Sequence, residues 1–154
     1  MNQHLLTKLK TQHKEIPDLL EMLSPDLVKQ RPKPTKWSIL ENLAHLGRYQ
    51  EVFLQRLLLI LSQDKPELGR YKAEDDSGFT TWQDLEQTQV IEKLERIRVD
   101  LIEFFENLAA EEWERTGSHP VLGALSIREW LRFFLLHENH HLYAIFRIRH
   151  TNWS

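Results

Sequence analysis

The sequence predicts an all-α fold, a four-helix bundle, and three observations carry that prediction. Apolar residues recur at steps of three and four, whereas strand-like alternation is hard to find. Only five glycines occur in 154 residues. Ser38/Glu41 and Ser126/Glu129 each read as a capping box, in which serine and glutamate satisfy free amides of a first helical turn.

The elements follow in order. A first helix is expected from about Gln3 to Leu23, with Leu5, Leu6, Leu9, Ile16, Leu19, Leu20 and Leu23 as its apolar positions. Pro17 lies inside it and predicts a kink or break near Ile16. "SPDLVKQRPKPTK" reads as a connector, since its prolines stop a helix. The second helix starts at the Ser38 cap and runs to about Ser62. "QDKPELGRYKAEDDSGFTTW" reads as a long polar loop. A third helix is expected from about Gln83 to Leu108, with Leu94, Ile97, Leu101, Phe104 and Leu108 on one face. "TGSHPVLGA" breaks the chain, and the Ser126 cap opens a fourth helix reaching about Arg149. No internal repeat or low-complexity tract appears, and the linkers are too short to divide the chain, so one domain over residues 1–154 is expected.

Composition narrows the function classes. Apolar residues are 41% and charged residues 28%, the balance of a globular domain. Twenty basic and 23 acidic residues give a formal charge of −3 with no basic block, which gives nucleic-acid binding little electrostatic support. There is no cysteine, so disulfides, thiolate ligands and a cysteine nucleophile are excluded. "MNQHLLTKLKTQHKE" lacks a signal-peptide core, and "LLLIL" at Leu57–Leu61 is too short to span a bilayer. A cytoplasmic protein with no membrane association is expected.

The histidines carry the chemistry. His137-Glu138-Asn139-His140-His141 matches H-E-x-x-H, the zinc-protease signature. On a helix His137 and His141 project from one face, while His140 is turned about 100° away. Ile127, Trp130, Phe134, His137, His141, Ala144 and Ile148 form a repeat of three and four, which places both histidines on the seam toward the core. Two buried imidazoles need partners, and a divalent metal suits an i, i+4 pair. The protease pattern fails downstream. Ala144 and Arg147 replace its glycine and third histidine, no Asp or Glu follows His141, and His150 points half a turn away. The better third ligand is upstream: His45 lies seven residues after Ser38, two turns into the second helix.

"KPTKWSILENLAHLGRYQ" and "LSIREWLRFFLLHENHHLYAI" together resemble the DinB-like (damage-inducible) superfamily. Trp37 before the second helix, Leu46 after its histidine and the doubled His140-His141 carry the likeness. The run after the last histidine, "LYAIF", departs from it, offering only Tyr143 where family members commonly carry glutamine. The resemblance implies a four-helix bundle with His45, His137 and His141 as ligands of a divalent ion, zinc or nickel above others. Three neutral imidazoles leave positions open for water or substrate, as catalytic sites do.

The resemblance also implies a metal-dependent enzyme on small-molecule substrates, either a hydrolase or a bacillithiol-type S-transferase using an external low-molecular-weight thiol. It further implies a homodimer. The alternative is a non-catalytic bundle that binds a ligand or partner, with its histidines merely packed and no open cleft beside them. Glu138 and Tyr49 are the weak catalytic candidates, with Glu138 expected at the exposed edge of the seam. Glu41 or Asn42, one turn before His45, could hold its second nitrogen. His13 is a minor candidate ligand; His4, His119 and His150 read as surface residues. Trp82, Trp113 and Trp153 read as packing or interface residues.

Overall fold

The computed structural model describes residues 2–151. Four long helical segments form a four-helix bundle: α1 (Gln3–Thr11) continued by α2 (Glu15–Leu20), α4 (Ile39–Ser62), α6 (Gln87–Glu106) and α7 (Ile127–Arg149). Short elements join them: α3 (Pro25–Lys29), α5 (Ser77–Gln83) and a hairpin of β1 (Thr116–His119) and β2 (Gly123–Ser126). α4 packs on α6 and α7, and α1 packs on the same two helices. Consecutive bundle helices α1 and α4 are therefore diagonal, as are α6 and α7.

The serine caps at Ser38 and Ser126 hold, each hydroxyl accepting from the amide three residues on. Glu41, however, does not complete its capping box; Arg31 takes both its carboxylate oxygens at 2.8 and 2.7 Å. Several expectations need correction. The first helix breaks at Gln12–Lys14, in a 3₁₀ turn, earlier than Pro17 suggested. Pro17 falls in the first turn of α2, where its missing N–H costs nothing. The proline-rich connector contains α3, because Pro25 sits at its first turn behind the Ser24 cap. The polar loop contains α5, capped by Asp76, and α6 starts at Gln87 rather than Gln83.

The segment 116–126 is a two-stranded antiparallel hairpin, paired from Thr116↔Ser126 to His119↔Gly123. Gly123 adopts a φ of 75°, the left-handed conformation that ends a three-residue hairpin loop and that glycine takes without strain. The indole of Trp130 donates to the Gly117 carbonyl and ties the hairpin to α7. Leu68 N–H bonds to the Ser118 carbonyl and Ser118 N–H to the Pro66 carbonyl, so the 63–72 loop is pinned alongside.

Two apolar clusters fill the bundle. One gathers Leu5, Leu9, Phe53, Leu57, Phe105, Trp130 and Phe134. The other gathers Ile39, Leu43, Trp82, Leu94, Leu142 and Ile145. α4, α6 and α7 and the 3₁₀ break at Gln12–Lys14 contribute buried or half-buried polar side chains that meet one another. Buried Arg98 donates Nε to Gln50 Oε1 at 2.6 Å and Nη1 to the Leu9 carbonyl at 3.0 Å, and it pairs through Nη2 with the Glu138 carboxylate. Gln12 Nε2 donates to the other Glu138 oxygen at 3.1 Å. The break after Thr11 thus has a physical counterpart, since Arg98 binds the Leu9 carbonyl at the place where the α-helical ladder stops.

Trp82 and Trp113 are buried packing residues, the first also donating to the Glu51 carboxylate. Trp153 lies outside the described residues. Among the described residues, no helix is long and apolar enough to cross a membrane.

Candidate metal centre

Two helices build the site. α4 carries His45 and α7 carries His137 and His141; one ring nitrogen from each histidine lies within 4.8 Å of the others. His45 Nε2 and His137 Nε2 face each other at 3.0 Å. His141 Nδ1 meets Asn42 Oδ1 at 2.8 Å, and Asn42 Nδ2 in turn donates to the Ser38 carbonyl at 2.9 Å. That second bond orients the amide: its oxygen can only accept, so His141 carries its proton on Nδ1 and leaves the Nε2 lone pair free.

His45 is buried, and His137 and His141 are half-buried. Burial is the main force on all three, pushing each pKa down to about 3, with repulsion among the imidazoles adding to it. The rings are therefore neutral at neutral pH, the state in which imidazole ligates metals. Nδ1 of His45 and Nδ1 of His137 are buried without a hydrogen-bond partner.

An aromatic shell surrounds the imidazoles. Trp37 lies 5.0 Å from the His45 ring, Tyr71 5.9 Å and Phe79 6.0 Å, and Tyr49 stands 4.4 Å from His137. Asp76 fixes part of this shell. It caps α5 and accepts from the Tyr71 hydroxyl at 2.7 Å and from Arg48 Nε at 2.8 Å. The Tyr49 hydroxyl is buried and makes no hydrogen bond of full geometry among the described residues; burial pushes its pKa up to about 12, against the opposing pull of the nearby Arg56 guanidinium. A cleft of about 350 Å³ reaches His137 and Tyr49 from the surface between α4, α7, the hairpin and the 63–72 loop.

The sequence-predicted residues distribute as follows. His45, His137 and His141 come together. Tyr49 lines the cleft beside them. Glu138 is not at an exposed edge: it is 1% exposed, and both its oxygens are committed to Arg98 and Gln12. Asn42 holds His141 rather than His45, and Glu41 is bound to Arg31 on the outside. His13 is no part of the cluster; its Nδ1 meets Arg98 Nη1 at 3.1 Å. Burial and then Arg98 lower its pKa to about 4. His4, His140 and His150 are exposed. His119 is only partly exposed, and its Nδ1 accepts from the amides of Val121 and Leu122, fixing the hairpin loop.

Sequence reasoning missed Arg98, Tyr71 and Asp76. Arg98 had a signal, since it continues the spacing Val90, Leu94, Arg98, Leu101, Phe105; its charge concealed it. Tyr71 and Asp76 sit in the polar loop with no periodicity to reveal them.

Fold and site together define a helical bundle with a largely desolvated three-histidine cluster where two of its helices face each other. The chain belongs to the DinB superfamily, whose family model matches residues 8–145. It is 27% identical over 140 residues to the uncharacterized protein YuaE of Bacillus subtilis, covering 80% of this chain and 83% of that one. Its fold matches that of YfiT from Bacillus subtilis, described as "a probable metal-dependent hydrolase with an unusual four-helix bundle topology". That match has a TM-score of 0.78 at 16% identity over 98% of this chain and 87% of YfiT. The four-helix bundle protein TT2238 matches with a TM-score of 0.66 at 22% identity, covering 92% and 95% of the two chains. The DinB-like protein YjoA of Bacillus subtilis matches at 0.62 and 19% identity, covering 98% and 96%.

Proposed function

We propose that this chain is a metal-dependent enzyme acting on small molecules, a hydrolase or a thiol S-transferase, with one divalent ion held by His45, His137 and His141. The observation that supports it is the convergence of three desolvated, neutral imidazoles, one of which, His137, lines an open cleft. The donor set fits an ion. Two nitrogens bound at about 2.1 Å with bond angles between about 90° and 109° lie about 3.0–3.4 Å apart, and His45 and His137 stand at 3.0 Å. The description of YfiT points the same way.

An ion there would supply Lewis acidity, enough to bring a bound water's pKa to about 7 or to hold an external thiol as thiolate. The chain's own residues do the rest. Asn42 orients His141 through Nδ1 and keeps its Nε2 unprotonated. Trp37, Phe79 and Tyr71 exclude bulk water from one side of the cluster. Tyr49 stays protonated at neutral pH, so its hydroxyl can donate to a substrate oxygen. A purely packed histidine cluster would not require a cleft leading to it.

The test is metal content of untagged protein, wild type beside His45→Ala. About one ion per chain, lost in the variant, is expected. No ion in either protein after soaking with zinc and nickel would overturn the reading.

A further inference from the structure

The cleft that ends at His137 has charged walls. Arg56 projects from α4 and Arg70 from the pinned 63–72 loop, both lining it together with Tyr49, Tyr71, Leu122 and His137. Neither arginine has a carboxylate partner among the described residues: Arg56 donates to the Gly69 carbonyl and lies by the Tyr49 hydroxyl, and Arg70 is exposed. No acidic residue lines the cleft. The neighbouring carboxylate, Asp76, is already matched by Arg48 and the Tyr71 hydroxyl. Beside Arg56 stands the buried Tyr49 hydroxyl, which makes no hydrogen bond of full geometry among the described residues.

Two guanidinium groups without a carboxylate partner, apolar walls, and a hydroxyl beside one of the arginines are complementary to one kind of molecule. Guanidinium is planar and presents paired N–H donors that suit an oxyanion. We infer that this cleft takes a small substrate bearing an oxyanion, a carboxylate or phosphate, seated between Arg56 and Arg70. Its apolar body runs along Leu122 and Tyr71, and its reacting end lies at Tyr49 and His137. The inference deepens the enzymatic reading and rests on it for the role of His137, but the anion seat belongs to the protein with or without an ion.

The experiment titrates metal-free protein with phenyl phosphate, benzoate and the neutral benzyl alcohol, following binding by calorimetry at low ionic strength. The expected result is that at least one anion binds about tenfold tighter than the alcohol. The stronger of the two anions then identifies the oxyanion. Arg70→Gln, on an exposed side chain that the fold does not need, should lose about fivefold or more of that preference, and Arg56→Gln likewise. Arg96→Gln, on the exposed outer face of α6, controls for general charge and should change nothing. Equal binding of anions and alcohol, or anion binding that survives both arginine substitutions, overturns the inference. A zinc titration run beside it separates the two readings: zinc bound without anion preference sinks only the anion seat, and anion preference without zinc sinks only the metal site.

Discussion

At the scale of single residues, Asn42 and Tyr49 make the sharpest predictions. Asn42 stands between the Ser38 carbonyl and His141 Nδ1, so it sets the tautomer of an imidazole it does not replace. Asn42→Leu should weaken zinc affinity by about 10–100-fold while the bundle stays folded, as read by competition with a chelating dye and by circular dichroism. Unchanged affinity would remove Asn42 from the site. Tyr49 carries a buried hydroxyl that makes no hydrogen bond of full geometry among the described residues, with the Arg56 guanidinium as its neighbour. Tyr49→Phe deletes an unsatisfied group, so urea denaturation should show it more stable by about 1 kcal/mol. The same variant should turn over more slowly once a substrate is known; a stability gain with full activity would leave the hydroxyl without a role.

At the scale of elements, the exchange between histidine and glutamate on α7 is the instructive case. The periodicity places His137 and His141 on the seam, yet Glu138 occupies its buried middle and the histidines are half-buried beside it. A carboxylate is buried there because Arg98 of α6 is buried opposite, and each removes the cost of desolvating the other. Breaking the pair from one side should therefore cost about 3–5 kcal/mol. Arg98→Met and Glu138→Leu are each expected to lose that much by denaturant titration. The double variant should recover much of it, and additive losses would show that the two side chains are not coupled.

This pair also marks where sequence reading stops. The caps at Ser38 and Ser126, the four long helices and the three histidines are legible because each rests on local spacing. Arg98, Tyr71 and Asp76 are not, because each is placed by a partner on another element. The hairpin escapes for a different reason: its strands are four residues each and contain Gly117 and Gly123 in place of alternating apolar residues.

At the scale of the whole molecule, buried histidines couple folding to pH. His13, His45, His137 and His141 are all held below their ordinary value of 6.5, His13 to about 4 and the other three to about 3, mainly by burial. Below pH 6.5 the unfolded chain binds protons that the folded metal-free protein refuses. The histidine contribution should then make stability fall as the pH drops from about 6.5 toward about 3, with the loss of the Asp76 carboxylate adding to it in stronger acid. Urea midpoints measured across this range check it; a constant midpoint between pH 7 and 4 would contradict the burial. Zinc at 100 times its Kd should raise stability by about 2.7 kcal/mol at neutral pH, an effect that vanishes in acid as protons displace the ion.

The central polar layer has one more consequence. His137 and His141 are four residues apart, so sliding α7 along α4 by about 6 Å would bring the second histidine to the place of the first. That alignment would keep one imidazole of α7 and put Ile145 in the place of the other. Glu138 has no counterpart one turn away, since position 134 is Phe and position 142 is Leu. Arg98 can therefore be answered in only one alignment, and it is the one that sets both imidazoles of α7 beside His45, so charge pair and histidine cluster lock the same helix register.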